Sequence, residues 1–195
     1  MRSLVLLDTA KQNKEIRQLS VANILEAAFV LMARNGYEST SIAQIAKQAG
    51  VSKGLLYNYF DSKKELLVAL VNNAMDEGDQ LMAQLDTNEP KKALESIITL
   101  FFQDLTARPE HWRLMTELTF KIDKFEFIHE ILTNKINEYV SVLESLLRGI
   151  GYENPTEEAR LIGSLFDGIG VHYLVMREDY PIASMKAFLI KKYCS

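Results

Sequence analysis

Apolar residues recur at the spacing of a helix face along nearly the whole chain. In the first 85 residues this pattern predicts four helices in the order long, short, short, long. Gly36 and Gly50 follow the first two runs, where a helix commonly ends. Ser52 can cap the third helix, and Ser62–Glu65 is a capping box at the start of the fourth. The apolar positions that define these helices are Ile24, Leu25, Ala28, Phe29, Leu31, Met32, Ile42, Ile45, Ala46, Ala49, Leu66, Leu67, Leu70, Val71 and Ala74.

The rest of the chain is also predicted to be helical, after a hinge at Asp86–Pro90. Asn154 and Pro155 suit the N-cap and the first position of a later helix. The pattern contains no convincing strand, so the predicted fold is all-α with about nine helices. The five later helices are expected at about 91–106, 109–120, 126–148, 156–176 and 183–193.

The two short helices form a helix-turn-helix motif with a buried side and an exposed side. Helices of about eight residues are not stable alone, so the long helices must supply a scaffold. Ala46 is small enough for a close crossing, Gly50 makes the turn, and Val51 and Leu56 anchor the second short helix. That helix then presents polar, basic and aromatic residues of the type that a recognition helix offers to a DNA major groove. These residues are Ser52, Lys53, Gly54, Leu55, Tyr57, Asn58 and Tyr59.

The net charge of −4 hides an asymmetry between the two ends of the chain. Residues 1–64 carry nine Lys/Arg against five Asp/Glu, and residues 65–195 carry thirteen against twenty-one. A basic end on an acidic body is expected of a protein of which only one end meets a polyanion. Lys63 and Lys64 stand at a helix N-terminus, where cations oppose the helix dipole unless a phosphate binds there. Two solvated lysines are the alternative interpretation.

Composition and spacing argue against an enzyme, a metal centre and a membrane protein. Cys194 is the single cysteine, so no disulfide can form within the chain, which suits a reducing cytoplasm. No run approaches the ~18 consecutive apolar residues that indicate a membrane helix. Glu126 and His129 match one half of a di-iron motif whose second half is missing. We therefore expect no catalytic residue, metal ligand or cofactor, and a cytoplasmic location.

Three segments resemble the DNA-binding domain of the tetracycline-repressor (TetR) family of transcription factors. They are TSIAQIA at 40–46, AGVSKGLLYNYF at 49–60 and SKKEL at 62–66. The resemblance covers about residues 20–70, and the rest of the chain matches the family in architecture only. It implies an N-terminal arm at 1–19, a helix-turn-helix domain at 20–70 and a helical effector-binding and dimerisation domain at 71–195, with a long fourth helix joining the last two.

The resemblance also implies how this chain would hold the backbone of double-stranded DNA. Thr40 and Ser41 would contact phosphate through hydroxyl and backbone N–H groups, and Lys63 would bind phosphate at the start of the fourth helix. Tyr57 and Tyr59 would donate hydrogen bonds from their hydroxyls to phosphates. Since both tyrosines cannot face inward on one short helix, at least one of them should be exposed.

Base recognition would depend on the first turns of the recognition helix. The residues that approach the bases would be Ser52, Lys53, Gly54, Leu55 and Asn58, of which Gly54 lets the backbone come close. Leu55 stands where the family commonly has a hydroxyl residue, and it can offer only apolar contact to a thymine methyl. Direct readout would therefore rest on Lys53 and Asn58, with DNA shape contributing.

The last two long helices, at about 156–176 and 183–193, would by the same resemblance pair with a second copy as a four-helix bundle. Gly163, Gly168 and Gly170 support a close helix approach, because glycine inside a helix costs up to ~1 kcal/mol against alanine. A kinked helix is the alternative explanation of these glycines. A two-fold homodimer would bind a near-palindromic operator.

A pocket for a small lipophilic effector is expected among the middle helices, where large apolar side chains are concentrated. Its candidate lining residues are Phe101, Phe102, Trp112, Met115, Phe120, Tyr139 and His172. An ordinary core is the alternative for each of them. The expected function is a dimeric, sequence-specific transcriptional regulator, a repressor released by its ligand. A helical DNA-binding protein without an effector and a helical interaction module are the alternatives.

Overall fold

The computed structural model describes residues 2–120 and 125–195, without the side chains of residues 2–11, 13, 77 and 81. These residues form nine α-helices and no strand, which confirms the predicted all-α class. From α2 onward, each helix begins and ends within three residues of the predicted bounds. The helices are α1 (Arg2–Asn35), α2 (Ile42–Gln48), α3 (Lys53–Tyr57), α4 (Lys63–Met82), α5 (Pro90–Ala107), α6 (Pro109–Phe120), α7 (Glu126–Ile150), α8 (Pro155–Met176) and α9 (Ile182–Cys194).

The first helix is longer than its apolar pattern indicates. The sequence predicts a frayed opening at residues 1–7, whereas α1 already begins at Arg2 and Met1 lies outside the described residues. No glycine or proline occurs between residues 2 and 35, so no residue type that breaks a helix interrupts the backbone before Gly36. Ile16 and Leu19 are exposed on this added length of helix.

The segment Lys14–Asn35 of α1 is long and apolar enough to cross a membrane by length and composition. It contains charged residues, among them Glu26 and Arg34, so it is not an uninterrupted apolar run. Ile24, Ala28 and Met32 have no exposed surface. One-sided burial of this kind is what an amphipathic helix of a globular domain shows.

Contacts between Cα atoms divide the chain into two compact units, residues 1–74 and 75–195, and α4 contains the boundary. The functional assignment of 20–70 and 71–195 remains a prediction. In the first unit α2 packs on α1 and α3 packs on α2. Gly50 adopts a φ of 69°, which turns the chain between α2 and α3. The buried apolar side chains of this unit are Ile24, Ala27, Ala28, Met32, Ala33, Ile42, Ile45, Ala46, Leu56, Phe60, Leu66, Leu67, Leu70 and Val71.

In the second unit α7 packs on α8, and α5 packs on both α7 and α9. One core runs through these four helices, with Leu94, Leu105 and Leu147 among its fully buried side chains. α8 begins as predicted with Asn154 at the N-cap and Pro155 at the first position, although the Asn154 side chain makes no capping hydrogen bond. The helical hairpins of this unit thus bury one face of each helix and leave the opposite face of α8 and α9 to solvent.

Candidate nucleic-acid interface

The start of α2 is fixed by Ser41 and Gln44. The Ser41 Oγ accepts a hydrogen bond from the Gln44 N–H at 3.3 Å, and the Gln44 Oε1 accepts one from the Ser41 N–H at 2.8 Å. This is a capping box, which the spacing of serine and glutamine in the sequence could have predicted. Ser41 is exposed, so the position expected to meet DNA phosphate lies at the surface.

The recognition helix α3 has five residues and is held by one buried side chain, Leu56. The Ser52 Oγ accepts a hydrogen bond from the Leu55 N–H at 3.0 Å, which confirms the predicted N-cap. Lys53, Gly54 and Asn58 are exposed. A helix with so few internal contacts offers most of its surface to a partner.

The two tyrosines of this segment differ in exposure, as predicted. The Tyr57 side chain is 43% exposed, and the Lys53 Nζ lies 5.8 Å from the centre of its ring. Tyr59 is only half-buried, and the guanidinium of Arg17 lies 5.5 Å from the centre of its ring. Arg17 was not among the predicted contact residues, because the spacing within 40–66 carries no information on what α1 brings beside α3.

Gly54 has no steric reason to be glycine inside the folded chain. A Cβ atom built at this position would meet only the Ser52 Oγ, at 3.9 Å, which is an ordinary contact. Since glycine in a helix costs up to ~1 kcal/mol against alanine, its presence here has no compensation within the first unit. The close approach of a partner to this backbone, which the sequence predicts, would offset that cost.

An open groove of about 530 Å³ brings five of the predicted contact residues together. They are Thr40, Ser41, Lys53, Tyr57 and Lys63. Glu38 and Asp61 also line the groove, and the negative charges of their carboxylates would repel an anion. The other five predicted contact residues are not part of its lining; they are Ser52, Gly54, Leu55, Asn58 and Tyr59.

Lys63 is held by the loop that precedes α2. Its Nζ donates hydrogen bonds to the carbonyl oxygens of Tyr37, Glu38 and Thr40 at 3.0, 3.4 and 3.1 Å. The same atom lies 4.2 Å from the centre of the Tyr37 ring, and burial with a contribution from Glu38 raises the pKa of Tyr37. Three acceptors satisfy the three donors of an ammonium group. In this conformation the Lys63 ammonium fixes the loop, and its contact with phosphate stays a prediction.

Thr40 also makes hydrogen bonds within the fold. Its hydroxyl is buried and donates to the carbonyl oxygens of Gly36 and Leu31 at 2.9 and 3.2 Å. Its N–H donates to the Tyr37 carbonyl oxygen at 3.2 Å. These carbonyls belong to the end of α1 and the turn after it, where helical acceptors are left over. In this conformation the Thr40 hydroxyl closes the end of α1, and its contact with phosphate stays a prediction.

The aromatic residues expected to line an effector pocket pack against each other in the second unit. Phe101 stacks on Phe166 with ring centres 4.2 Å apart and meets Trp112 edge to face at 5.3 Å. A Cβ atom at Gly170 would lie 3.2 Å from the Trp112 ring, so this glycine is explained by a contact within the chain. The Trp112 Nε1 donates to an Asp104 carboxylate oxygen at 2.9 Å. Phe102 is buried and Met115 is half-buried.

Three of the expected pocket residues have other surroundings. Phe120 is 76% exposed at the end of α6, and His172 is exposed on α8, so neither encloses a pocket in this conformation. The Tyr139 hydroxyl approaches α4, since a Cβ atom at Gly78 would lie 2.8 Å from it. Burial and the neighbouring Asp79 raise the pKa of Tyr139 to about 12.

No group of three or more His, Cys, Asp or Glu side chains that could hold a metal ion occurs within the described ranges. His129 therefore has no complete ligand set around it in this part of the chain. The Glu126–His129 spacing remains half of a motif.

Comparison with known proteins connects this geometry to a family. Residues 24–70 match the family model of the bacterial regulatory proteins of the tetR family. The "Fatty acid metabolism regulator protein" of Bacillus subtilis (strain 168) is 31% identical over 130 residues, which cover 64% of each chain. Two further regulators of the same organism match over 29% and 44% of their own lengths. The chain thus aligns with less than two thirds of each of these relatives.

Solved structures share the fold over most of the chain. A TetR-family transcriptional regulator from Agrobacterium tumefaciens has a TM-score of 0.78 at 19% identity, covering 92% of this chain and 100% of that one. FadR from Bacillus subtilis in complex with stearoyl-CoA has a TM-score of 0.65 at 24% identity, covering 89% and 97%. The most specific similarity is the match at residues 24–70, which contain α2, α3 and the start of α4. Residues 24–70 of this chain are thus similar to the DNA-binding domain of the tetR family of bacterial regulatory proteins.

Proposed function

We propose that this chain is a homodimeric, sequence-specific DNA-binding transcriptional regulator, a repressor whose DNA affinity falls when a lipophilic effector binds. The observation that carries the DNA-binding part is the surface of α3. Lys53, Gly54, Tyr57 and Asn58 are exposed on a helix that a single leucine holds in place. A short, polar and basic helix of this kind fits the width of a DNA major groove.

Gly54→Ala is expected to separate stability from DNA binding. The structure has room for the methyl group, and alanine favours a helix by up to ~1 kcal/mol, so the unfolding midpoint should stay or rise. If the DNA backbone or bases approach Gly54 closely, affinity for the operator should fall about tenfold, or ~1.4 kcal/mol. Thermal unfolding and fluorescence anisotropy with labelled DNA measure the two effects. Unchanged affinity would contradict the proposed approach of DNA at this residue.

Dimerisation is proposed to occur through the exposed faces of α8 and α9. Leu161, Gly168 and Val175 are seven residues apart and lie on one stripe of α8, with Ser164 and Val171 between them. Leu161 is 48% exposed and Val175 77%. A Cβ atom at Gly168 would meet no atom within 4 Å, so the fold of one chain leaves this glycine unexplained.

A further exposed apolar side chain lies on α9, where Phe188 is 60% exposed. Apolar stripes that remain at the surface of a single chain mark surfaces that another protein covers. A second copy of the chain can cover both helices by two-fold symmetry, in which the same surface serves both partners. Such a dimer carries two recognition helices and favours a near-palindromic operator.

For the effector we propose a long-chain acyl thioester. Two lines of support exist. The B. subtilis relative is named for fatty acid metabolism, and the FadR structure holds stearoyl-CoA. In this chain, Phe101, Phe102, Trp112 and Phe166 form an apolar cluster that an acyl chain can separate and enter. Since DNA and effector would favour different conformations, each would weaken the binding of the other by the same factor.

Titration with stearoyl-CoA is expected to change the fluorescence of Trp112, the single tryptophan of the chain, and to lower DNA affinity. Coenzyme A without the acyl chain is the control and should do neither at the same concentration. A fluorescence change without loss of DNA affinity would contradict the proposed release of the repressor.

A DNA-binding protein without a small-molecule effector is the second candidate. The close stacking of Phe101 on Phe166 is also what an ordinary core without a ligand shows. Specific DNA binding that no acyl thioester of any chain length alters would support this candidate over the first.

A further inference from the structure

One of the cations expected at the DNA surface is engaged in hydrogen bonds within the fold. Among the predicted contact residues only Lys53 and Lys63 carry a positive charge. The Lys63 ammonium donates hydrogen bonds to three carbonyl oxygens of the loop before α2. Because phosphate neutralisation by Lys and Arg supplies much of the affinity for DNA, a further exposed cation beside α3 would strengthen binding.

Arg17 lies beside the end of the recognition helix. Its guanidinium is 5.5 Å from the centre of the Tyr59 ring, within the range of a cation–π contact. The residue is exposed, so the ring orients the guanidinium without removing it from solvent. Guanidinium keeps several N–H donors for a phosphate while one face rests on an aromatic ring.

The helical conformation of α1 is what brings Arg17 to this position. α1 begins at Arg2 and is unbroken through residue 17. Lys14 lies three residues earlier, on the same side of the helix, and is also exposed. Glu15 is exposed on the same turn but is not on that side, since neighbouring residues of a helix point in different directions.

We propose that Arg17 binds a DNA phosphate next to the one held by the Tyr59 hydroxyl, with Lys14 extending this basic edge along α1. The inference rests on the DNA-binding function proposed above. It extends the contact surface from the helix-turn-helix into the first helix. Tyr59 then has two roles, as a phosphate donor and as the ring that orients Arg17.

The test is the salt dependence of DNA binding by Arg17→Ala in the full-length chain. Each lost phosphate contact reduces the slope of log affinity against log salt by about 0.9, so a dimer should lose about 1.8. Lys92→Ala, which removes an equally charged and largely exposed side chain from the second unit, is the matched control and should keep the wild-type slope. Arg17→Lys should keep most of the slope.

Tyr59→Phe and Tyr59→Leu separate the two roles of Tyr59. The phenylalanine variant keeps the ring and should lose only the hydroxyl contact. The leucine variant should lose more, and adding Arg17→Ala to it should cost less than Arg17→Ala costs alone. A merely structural contact between Arg17 and Tyr59 would change thermal unfolding and leave the salt slope unchanged.

The measurement is made on an operator fragment and on random duplex DNA, because the phosphate contribution does not depend on sequence. A wild-type slope retained by Arg17→Ala, on DNA that the protein binds specifically, would overturn this inference and leave the proposed function intact. Equal binding to both DNAs would overturn sequence-specific regulation while the slopes still decide the role of Arg17. Absence of any duplex binding would overturn both.

Discussion

Leu56→Ala is expected to destabilise the first unit by about 2–5 kcal/mol, the usual cost of removing a fully buried leucine side chain. Leu56 is the single buried residue of α3, and a helix of five residues has little stability of its own. Operator binding should be lost together with the helix, although every proposed contact residue is unchanged. Urea unfolding followed by circular dichroism gives the free energy, and amide hydrogen exchange over residues 40–60 shows where the structure opens.

Leu55→Ala is the matched control for this experiment. Leu55 is the preceding residue with the same side chain, but it is only half-buried. Its truncation should change stability by less than about 1 kcal/mol. It should instead alter preference among operator sequences, if Leu55 contacts a thymine methyl. Equal destabilisation by the two variants would contradict the assignment of Leu56 as the anchor of the recognition helix.

Leu161→Glu combined with Val175→Glu is expected to convert a dimer into a monomer. The two glutamates would place charges in the centre of the proposed interface, where burying an unpaired charge costs several kcal/mol. A monomer contacts one half-site, so operator affinity should fall by at least about 100-fold, the gain commonly obtained from linking two sites. Sedimentation velocity gives the mass and anisotropy gives the affinity.

Ile136→Glu serves as the control for the dimer experiment. Ile136 is 57% exposed on α7, so the same change of chemistry is made at an exposed apolar residue outside α8 and α9. This variant should keep the mass and the DNA affinity of the wild-type protein. If the α8 variant kept its dimeric mass, the proposed interface would be in the wrong place.

The helices were predictable from the sequence because their signals are local. The spacing of Ile42, Ile45 and Ala46 and the positions of Gly36 and Gly50 define one face and two ends within a few residues. Hydrophobic periodicity and caps act over one or two turns, which a linear pattern contains. The start of α1 was missed because the sequence of its first residues has no regular apolar spacing.

The roles of Thr40 and Lys63 were not predictable, because they depend on contacts across the fold. The Thr40 hydroxyl reaches Leu31, nine residues earlier, and the Lys63 ammonium reaches Tyr37, twenty-six residues earlier. A resemblance assigns such residues to DNA from their position in a motif. In the structure, the Thr40 hydroxyl and the Lys63 ammonium donate to backbone carbonyl oxygens at the end of α1 and in the loop after it.

For the apolar residues of the expected effector pocket, the sequence likewise could not predict which side chains are buried. Phe101 and Phe120 are both large and apolar, yet one is buried in an aromatic cluster and the other is exposed at the end of α6. Composition alone cannot separate a core residue from a surface one at a helix end. Gly170 is a further example, since its explanation is Trp112 of the same chain, whereas Gly168 has no neighbour in the chain.

The most direct test of the central claim is binding to the DNA upstream of the protein's own gene, measured by fluorescence anisotropy at several salt concentrations. The comparison is a Lys53→Ala/Tyr57→Ala double variant, because these side chains are exposed, whereas removal of Lys63 would also release the loop that it holds. We expect the wild-type protein to prefer this fragment over scrambled DNA by at least about 1,000-fold, with a steep salt dependence, and the variant to lose the preference. Equal affinity for the upstream and scrambled fragments, followed by no enrichment in a genome-wide selection of bound fragments, would contradict the account.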